Sequence, residues 1–501
     1  MTLSSAFNII DTSFKAIATQ SATIASNVAN ANTPGYSRQV ANLGTTAYNG
    51  VTVYSVTREA NAALAAQLNS TTSDSAAQTA ISNGLATLAQ TVSDSATSTS
   101  TTGSQQNGAS PYAQLANFAS AMATFEAQPA SESAAQAAVA AASGVASSLN
   151  SGAQAVAQAR TQADQQIGQA VSTVNSLLSQ FTSINNSVVA GIAGGSDIGA
   201  LQDQRDALVT QIAQQIGVTT TVNSNGSMSI FTDSGVPLFE STPSQLTFTA
   251  SGTLGPNQSG SAVLVNGTPI TGPSSNMPIQ SGAIAGLAQL RDTIAPQYQA
   301  QLDQIAGNLM TAFQETDQST TATGLPTLPG LFTTSGATTV PSSANWTGLA
   351  NAITINPTTD PTQGGDAFLL RDGGISDTSN LNYTYNTTGQ AGYTGRLQQL
   401  VSALAAPMSF SSDAGLATTD SISNYADTSV SWLQAAHQQA SGNATYHSSL
   451  LTSAASALSN ATGVNLDTEL TNMLTIESSY TASAKLVTTV NNMLNTLVNA
   501  I

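Results

Sequence analysis

The sequence predicts a mainly α-helical protein with a small inserted β subdomain. An elongated helical body carries a terminal coiled-coil domain made of the paired N- and C-terminal helices. Two observations predict the terminal domain, because apolar residues recur at alternating steps of four and three at each end of the chain, which is the spacing of a coiled-coil seam. A third observation, short alternating segments after Val218, predicts the β subdomain.

The N-terminal segment, residues 3–32, is predicted to form one helix that carries only Asp11 and Lys15 as charges. It should end near Pro34 and Gly35, because proline disfavours helical backbone in the residue before it and glycine permits a turn. Residues 51–56 alternate with period two and predict a short strand. The N-terminal packing seam, interrupted by the polar Ser21, consists of Leu3, Phe7, Ile10, Phe14, Ile17, Ile24 and Val28.

The helical body is predicted from apolar stripes with helical spacing. A Ser/Thr/Gly-rich tract without a stripe predicts a loop at 93–110. Gly194 and Gly195 should end the longest helix. The predicted helices are 58–92, 112–126, nearly sixty residues from Glu132, and 201–217.

The β subdomain is predicted from short apolar segments separated by turns. The pairs Asn225-Gly226 and Asn266-Gly267 are strong hairpin signals. The candidate strands are 218–222, 228–231, 246–248 and 262–265.

The remainder of the chain alternates between helix and loop. A helix is predicted over 283–318, bent or broken at Pro296. Residues 319–394 are rich in Gly, Pro, Thr and Asn, and we expect little there that could form a large core. Short strand-like pieces are predicted at 352–355 and 367–370, and helices at 395–405 and 420–460.

Gly463 breaks the chain before the C-terminal helix, which begins at Leu466. The C-terminal packing seam, with the polar Ser483 inside it, consists of Ile476, Tyr480, Val487, Val490, Leu494, Leu497 and Ile501. The predicted division of the chain is into 1–50 and 463–501 (the two halves of the terminal domain), 51–217, 281–318 and 395–462 (helical body), 218–280 (β subdomain) and 319–394 (a loop-rich segment with short strands).

Composition excludes several functions. The 501 residues contain no cysteine, which excludes disulfides and thiol chemistry. Nine Lys+Arg against 26 Asp+Glu give a net charge of −17, and nucleic-acid binding needs clustered basic residues. No apolar run reaches the ~20 residues of a membrane span, and the N-terminus lacks a basic region and a cleavage site, so we expect neither membrane insertion nor a cleaved signal.

Catalytic and metal sites are not predicted. His437 and His447 lie ten residues apart and cannot form a helical ligand pair. Asp203 and Asp206 flank Arg205 and are interpreted as its ion-pair partners. A calcium site in the loop around Asp366 lacks the required ligand spacing. We therefore predict no enzyme, no cofactor and no metal.

The low charge of the chain, 7% of residues against roughly 25% in ordinary globular proteins, leaves two interpretations. It reflects either a lineage preference for small neutral residues or a surface built for close subunit contact, where charges are costly to desolvate. Likewise, the terminal seams either close one globular domain or form a polymerisation domain. The scarcity of Glu and Lys beside the seams favours polymerisation.

The turn after the first helix resembles the N-terminal motif of bacterial flagellar rod, hook and hook-associated axial proteins. Its pattern N-x-x-N-x-x-T-P-G-Y-S-R is formed by Asn27, Asn30, Thr33, Pro34, Gly35, Tyr36, Ser37 and Arg38. Three further stretches resemble the hook-associated protein 1 family, the first hook–filament junction proteins. They are 50–68 (G-V-x-V-x-x-V-x-R-E, then Q-L), 203–218 (D-Q-R-D-x-L-V, then G-V) and 463–487 (G-V-N-L-D-x-E, then Y-x-A-S-A-x-x-V).

This resemblance implies a structural subunit whose terminal helices pair into the inner layer of the extracellular flagellum. It implies a ring of copies between hook protein and the second hook–filament junction protein. It also implies export without a cleaved signal peptide, with a cytoplasmic export chaperone on the C-terminal helix. Larger relatives carry a sizeable outer β domain, for which residues 319–394 are too short, so a reduced outer domain is expected.

Two alternatives remain open. Within the same class, the chain could be the hook protein or the second junction protein, although the D-Q-R-D stretch at 203–206 argues against both. From another class, the Ser/Thr/Ala richness is typical of a surface adhesin, which would need a cleavable signal or a membrane anchor.

Overall fold

The computed structural model describes residues 3–45, 50–93, 110–319 and 324–499. Within these ranges the helices are α1 (Leu3–Asn30), α2 (Ala62–Ala89), α3 (Pro111–Ala127), α4 (Glu132–Gly194), α5 (Gly199–Gln215), α6 (Ala283–Gln289), α7 (Ala295–Ala312), α8 (Leu349–Ala352), α9 (Leu369–Asp372), α10 (Gly395–Ala405), α11 (Ile422–Thr462) and α12 (Leu466–Asn499). The predicted fold class, mainly helical with a small β insert and paired terminal helices, is confirmed.

The strands are short and form two- and three-stranded antiparallel sheets. They are β1 (Gln39–Thr45), β2 (Val51–Arg58), β3 (Val218–Val222), β4 (Met228–Thr232), β5 (Pro237–Phe239), β6 (Leu246–Thr247), β7 (Leu264–Val265), β8 (Thr268–Pro269), β9 (Phe332–Thr334), β10 (Ile353–Ile355), β11 (Met408–Ser409) and β12 (Thr419–Asp420). The β1–β2 hairpin spans the boundary that we predicted between residues 50 and 51.

Helix α4 is the spine of the body. It has 63 residues, which at ~1.5 Å per residue makes it about 95 Å long. Its buried face is rich in alanine and valine, so neighbouring helices approach it closely. A similar close approach occurs between α6 and α2, where a Cβ added at Gly286 would lie 2.3 Å from the carbonyl oxygen of Ala77.

Both predicted hairpin turns of the β subdomain are confirmed. Asn225-Gly226 joins β3 to β4, and Asn266-Gly267 joins β7 to β8. Asn266 and Gly267 both have positive φ, 47° and 86°, as a two-residue turn of the mirror-image type requires. The local turn chemistry therefore specifies these two hairpins.

Two buried arginines attach this subdomain to the body. Arg160 on α4 donates from Nη1 to the carbonyl oxygen of Gly255 at 2.7 Å, and from Nε to that of Arg291 at 2.9 Å. Arg291 donates to Asp164 at 2.6 Å and to the carbonyl oxygen of Ser261 at 3.0 Å. Since a buried guanidinium must have its donors satisfied, these residues fix the loop before β7 onto α4.

The predicted helix 283–318 is wrong in detail. A π-helical turn, Leu290–Ile294, separates α6 from α7, and the helix ends at Ala312 rather than at Gln318. Pro296 lies in the first turn of α7, directly after this π turn. The π turn carries Arg291 in the interior, where it reaches Asp164.

The expectation of little core in residues 319–394 needs correction. Phe332 packs edge-on against Phe118 of α3 and against Phe313, with ring centroids 5.6 Å and 5.3 Å apart. The segment thus completes the core of the body instead of building a core of its own. The predicted strand at 352–355 is present as β10, whereas 367–370 lead into the single-turn helix α9. The loop predicted at 93–110 lies largely outside the described residues.

A buried carboxylate anchors this segment to α7. Asp303 accepts hydrogen bonds from the backbone N–H groups of Gly348 and Ala350, at 2.7 and 2.8 Å, and from Gln299 at 3.0 Å. Burial outweighs these bonds and raises the pKa of Asp303 to about 6, from the usual 3.8. The folded protein therefore holds this proton more tightly than the unfolded chain.

We expect the contribution of Asp303 to the free energy of unfolding to be full below pH 4 and to be lost as the pH rises through 6. The loss is about 3 kcal/mol, because a folded pKa above the unfolded one favours the folded state only while the group is protonated. Urea unfolding of the wild type and Asp303→Asn between pH 3 and pH 7 measures it. Stability should shift in favour of the variant as the pH rises. A difference that does not change with pH would contradict the prediction, and the exposed Asp413→Asn is the control.

Candidate functional site

The turn after α1 is held by the side chain of Asn27, which is 0% exposed. Its Oδ1 accepts hydrogen bonds from the backbone N–H of Gln39 and the hydroxyl of Tyr36, both at 2.9 Å. Its Nδ2 donates to the carbonyl oxygen of Gln39 at 2.9 Å and to the carboxylate of Glu469 at 3.2 Å. One amide therefore joins the end of α1, the start of β1 and the C-terminal helix.

The other motif residues set the direction of the chain. Asn30 donates to the carbonyl oxygen of Ser26 at 2.9 Å and accepts from the Thr33 hydroxyl at 3.3 Å. Gly35 has φ +80°, a conformation that other residues adopt only with strain. Pro34 lacks an N–H and cannot continue the helix. Together these residues end α1 at Asn30 and turn the chain into β1.

Glu469 of α12 accepts hydrogen bonds from two side chains of the N-terminal turn. It is 0% exposed, and its Oε1 accepts from Arg38 Nε at 2.6 Å while Oε2 faces Asn27. The backbone N–H of Arg38 donates to the carbonyl oxygen of Thr462 at 2.8 Å, and its carbonyl accepts from the N–H of Glu59. We call this cluster of Asn27, Tyr36, Arg38 and Glu469 the joint.

Asp203 of α5 attaches the joint to the body. Its Oδ2 accepts from the backbone N–H of Ser37 at 3.0 Å and its Oδ1 from Arg58 of β2 at 2.7 Å. Asp206 binds the same guanidinium at 2.5 Å. Although burial opposes the charge, the attraction of Asp206 and Asp203 raises the pKa of Arg58. The hairpin is therefore tied to α5 by a charged pair of acceptors.

The predicted ion pair with Arg205 is present only as a long contact to Asp206, and the prediction is wrong for Asp203, which pairs with Arg58. Arg205 is buried, donates to the carbonyl oxygen of Gly226 at 2.8 Å, and approaches Asp206 only to 3.8 Å. Neighbouring residues on a helix point to different faces, so Arg205 faces the β subdomain. Burial lowers the pKa of Arg205.

The terminal helices α1 and α12 pack against each other along part of the predicted seams. Ile10 and Ile24 of α1 and Val490 of α12 are buried. The rings of Phe14 and Tyr480 meet edge to face, 5.3 Å apart. Half-buried seam residues are Ile17, Ile476, Val487 and Leu494. The side chains of Leu3 and Leu497, and Ile501, lie outside the described part of the chain.

Other seam residues stay partly exposed within the chain, namely Phe7 (36%), Val28 (40%) and Tyr480 (54%). A second apolar face of α12, which the predicted seam does not include, is also exposed. It consists of Leu466, Leu470, Met473 and Leu474, with Leu474 66% exposed, and we call it the α12 patch. These four residues have the helical spacing i, i+4, i+7, i+8, which can be recognised in the sequence. They lie before Ile476, where the predicted C-terminal seam begins.

A cleft of about 1090 Å³ lies beside the joint. It lies between the turn at 31–37, helices α2 and α5, and the C-terminal end of α11. In the described ranges, no cluster of three His, Cys, Asp or Glu residues could hold a metal ion. No helix of residues 3–45, 50–93, 110–319 or 324–499 is long and apolar enough to cross a bilayer.

Three family models match the chain. Residues 103–325 match the flagellar hook-associated protein FlgK helical domain, 456–500 match the C-terminal model of flagellar basal body rod FlgEFG proteins, and 15–36 match the flagella basal body rod protein model. Curated proteins gave no match. Among solved structures, the flagellar hook junction protein FlgK from Burkholderia pseudomallei aligns with 26% identity and a TM-score of 0.41. The alignment covers 54% of this chain and 46% of that protein, so this chain spans less than half of its length.

We expect Glu469→Gln to loosen the joint while α12 stays helical. Replacing the charged acceptor of Arg38 by a neutral amide should cost about 2 kcal/mol of local opening free energy. Amide exchange at Arg38 and Gln39 should then be roughly thirtyfold faster.

The N–H of Ser37, which bonds to Asp203 instead, is an internal reference. Glu477→Gln, an exposed site on the same helix, is the control variant. Equal exchange rates in the two variants would show that Glu469 does not hold the joint.

Proposed function

We propose that this chain, which belongs to the family of flagellar hook-associated proteins FlgK, is a structural subunit of the bacterial flagellum at the junction between hook and filament. It acts by assembly alone, without catalysis. Its functional site comprises the axial-protein motif from Asn27 to Arg38 and the two packing seams.

The observation that carries this proposal is the uncovered apolar surface of the terminal domain. The α12 patch is exposed although α1 and α12 already pack on each other. Contiguous exposed apolar surface marks an interaction site. The proposed occupant is the terminal domain of another copy, so that copies form a ring.

The joint supports the same proposal. Asn27, Arg38, Glu469 and Asp203 fix the direction in which the helix pair leaves the body. Copies that pack through α1 and α12 would therefore hold their bodies at one defined orientation. A fixed orientation of the bodies is suited to a ring that joins two different tubular structures, the hook and the filament.

The partners follow from this placement. We propose that the ring contacts hook protein on one side and the second hook–filament junction protein on the other. Before export without a cleaved signal peptide, a cytoplasmic export chaperone would cover α12, because its apolar residues need a cover in water. The flagellar location outside the cell is part of this proposal.

Cells that lack this chain should make hooks without filaments, and the wild-type chain should restore filaments. Electron microscopy and motility assays measure both outcomes. A chain without residues 466–501 should keep a folded body and restore nothing. Filaments in the deleted strain, or with the truncated chain, would contradict the proposal.

We expect Leu474→Asp to weaken association of the purified chain at least about tenfold. It loses a leucine's burial, worth roughly 2 kcal/mol, and places a charge in the contact. Sedimentation velocity measures the effect. Thr475→Asp adds the same charge at an exposed neighbour on another face of α12, so it serves as the matched control. Equal weakening by both variants would contradict a role for the α12 patch.

A further inference from the structure

The charge of the chain is divided unequally between body and terminal domain. Residues 61–462 contain 21 Asp and Glu and five arginines, a formal charge of −16. Residues 1–60 and 463–501, which comprise the terminal domain and the β1–β2 hairpin, contain five acidic and four basic residues, a formal charge of −1. Almost the whole net charge of −17 thus belongs to the body.

The exposed charges of the body are even more predominantly negative than these counts suggest. Its five arginines are all buried, and the only lysines of the chain, Lys15 and Lys485, lie in the terminal domain. The buried arginines are Arg160, Arg205, Arg291, Arg371 and Arg396. The exposed carboxylates among the described residues of the body are Glu132, Asp197, Glu240, Asp366, Asp413 and Asp427. In this part of the chain the exposed side-chain charges are therefore all negative.

The terminal domain, by contrast, is nearly neutral. Lys15 pairs with Asp11 at 2.7 Å and Arg38 with Glu469 at 2.6 Å. The α12 patch contains four apolar residues and no charge. Asp467 and Glu477 are exposed on the same helix, but the net charge of the terminal segments is only −1, so two terminal domains repel each other far less than two bodies do.

We infer that ionic strength controls the association of copies, which meet through their near-neutral terminal domains while their negative bodies repel each other. The inference rests on the proposed function, and it names the physical variable that regulates the same surface. The screening length is ~30 Å at 0.01 M salt and ~8 Å at 0.15 M. Repulsion between bodies held side by side is therefore strong in dilute salt and mostly screened at physiological salt.

Sedimentation of the purified full-length chain at 10 mM and 200 mM NaCl tests the inference. The association constant should rise at least about tenfold with salt. A variant with Glu240→Lys, Asp413→Lys and Asp427→Lys brings the formal charge of the body from −16 to −10. It should associate more tightly than the wild type at 10 mM and respond less to salt.

The matched control replaces the same residues without changing charge, as Glu240→Asp, Asp413→Glu and Asp427→Glu, and should behave like the wild type. Circular dichroism checks that all variants fold. Association that is independent of salt, or weaker at 200 mM, would overturn the inference while leaving the proposed function in place. A salt response of the lysine variant equal to that of the wild type would also overturn the inference, because it would indicate that salt acts by salting out apolar surface and not by screening charge. Absence of association in both salts would overturn the proposed function itself.

Discussion

The contact between Glu469 and the pair Asn27 and Arg38 is the constraint on which the terminal domain depends. A carboxylate that is fully buried must be charge-compensated and hydrogen-bonded, and this one finds both partners in the turn after α1. The same turn is bound to the body through Asp203. Helix pair, hairpin and body therefore meet at one small polar cluster, and the cleft lies beside it.

The elements that local chemistry determines were predictable from the sequence. The long helices follow from their stripes, and the hairpins from Asn-Gly pairs at positions that need positive φ. The motif from Asn27 to Arg38 was identified, and its proline and glycine predicted the end of α1 within two residues. These features depend on residues that are close together in the sequence, so they can be predicted from one sequence alone.

The features that could not be predicted depend on contacts between distant segments. Asp203 was assigned to Arg205, its neighbour but one, whereas its partner is Arg58. The loop-rich residues 319–394 lack a periodic stripe, so nothing local indicated that Phe332 completes the core around Phe118. The π turn before Pro296 likewise serves the pairing of Arg291 with Asp164. Which arginines are buried depends on contacts between distant segments, so local sequence patterns do not predict it.

The distance along the chain between the two halves of the joint has a consequence for the order of folding. Asn27 and Glu469 are separated by 442 residues, so the contact closes nearly the longest loop that this polypeptide can form, and such closure comes late. Because synthesis proceeds from the N-terminus, Asn27 is made long before its acceptor. The complete turn therefore requires a polypeptide that extends at least to Glu469. Any product shortened before position 469 would lack it.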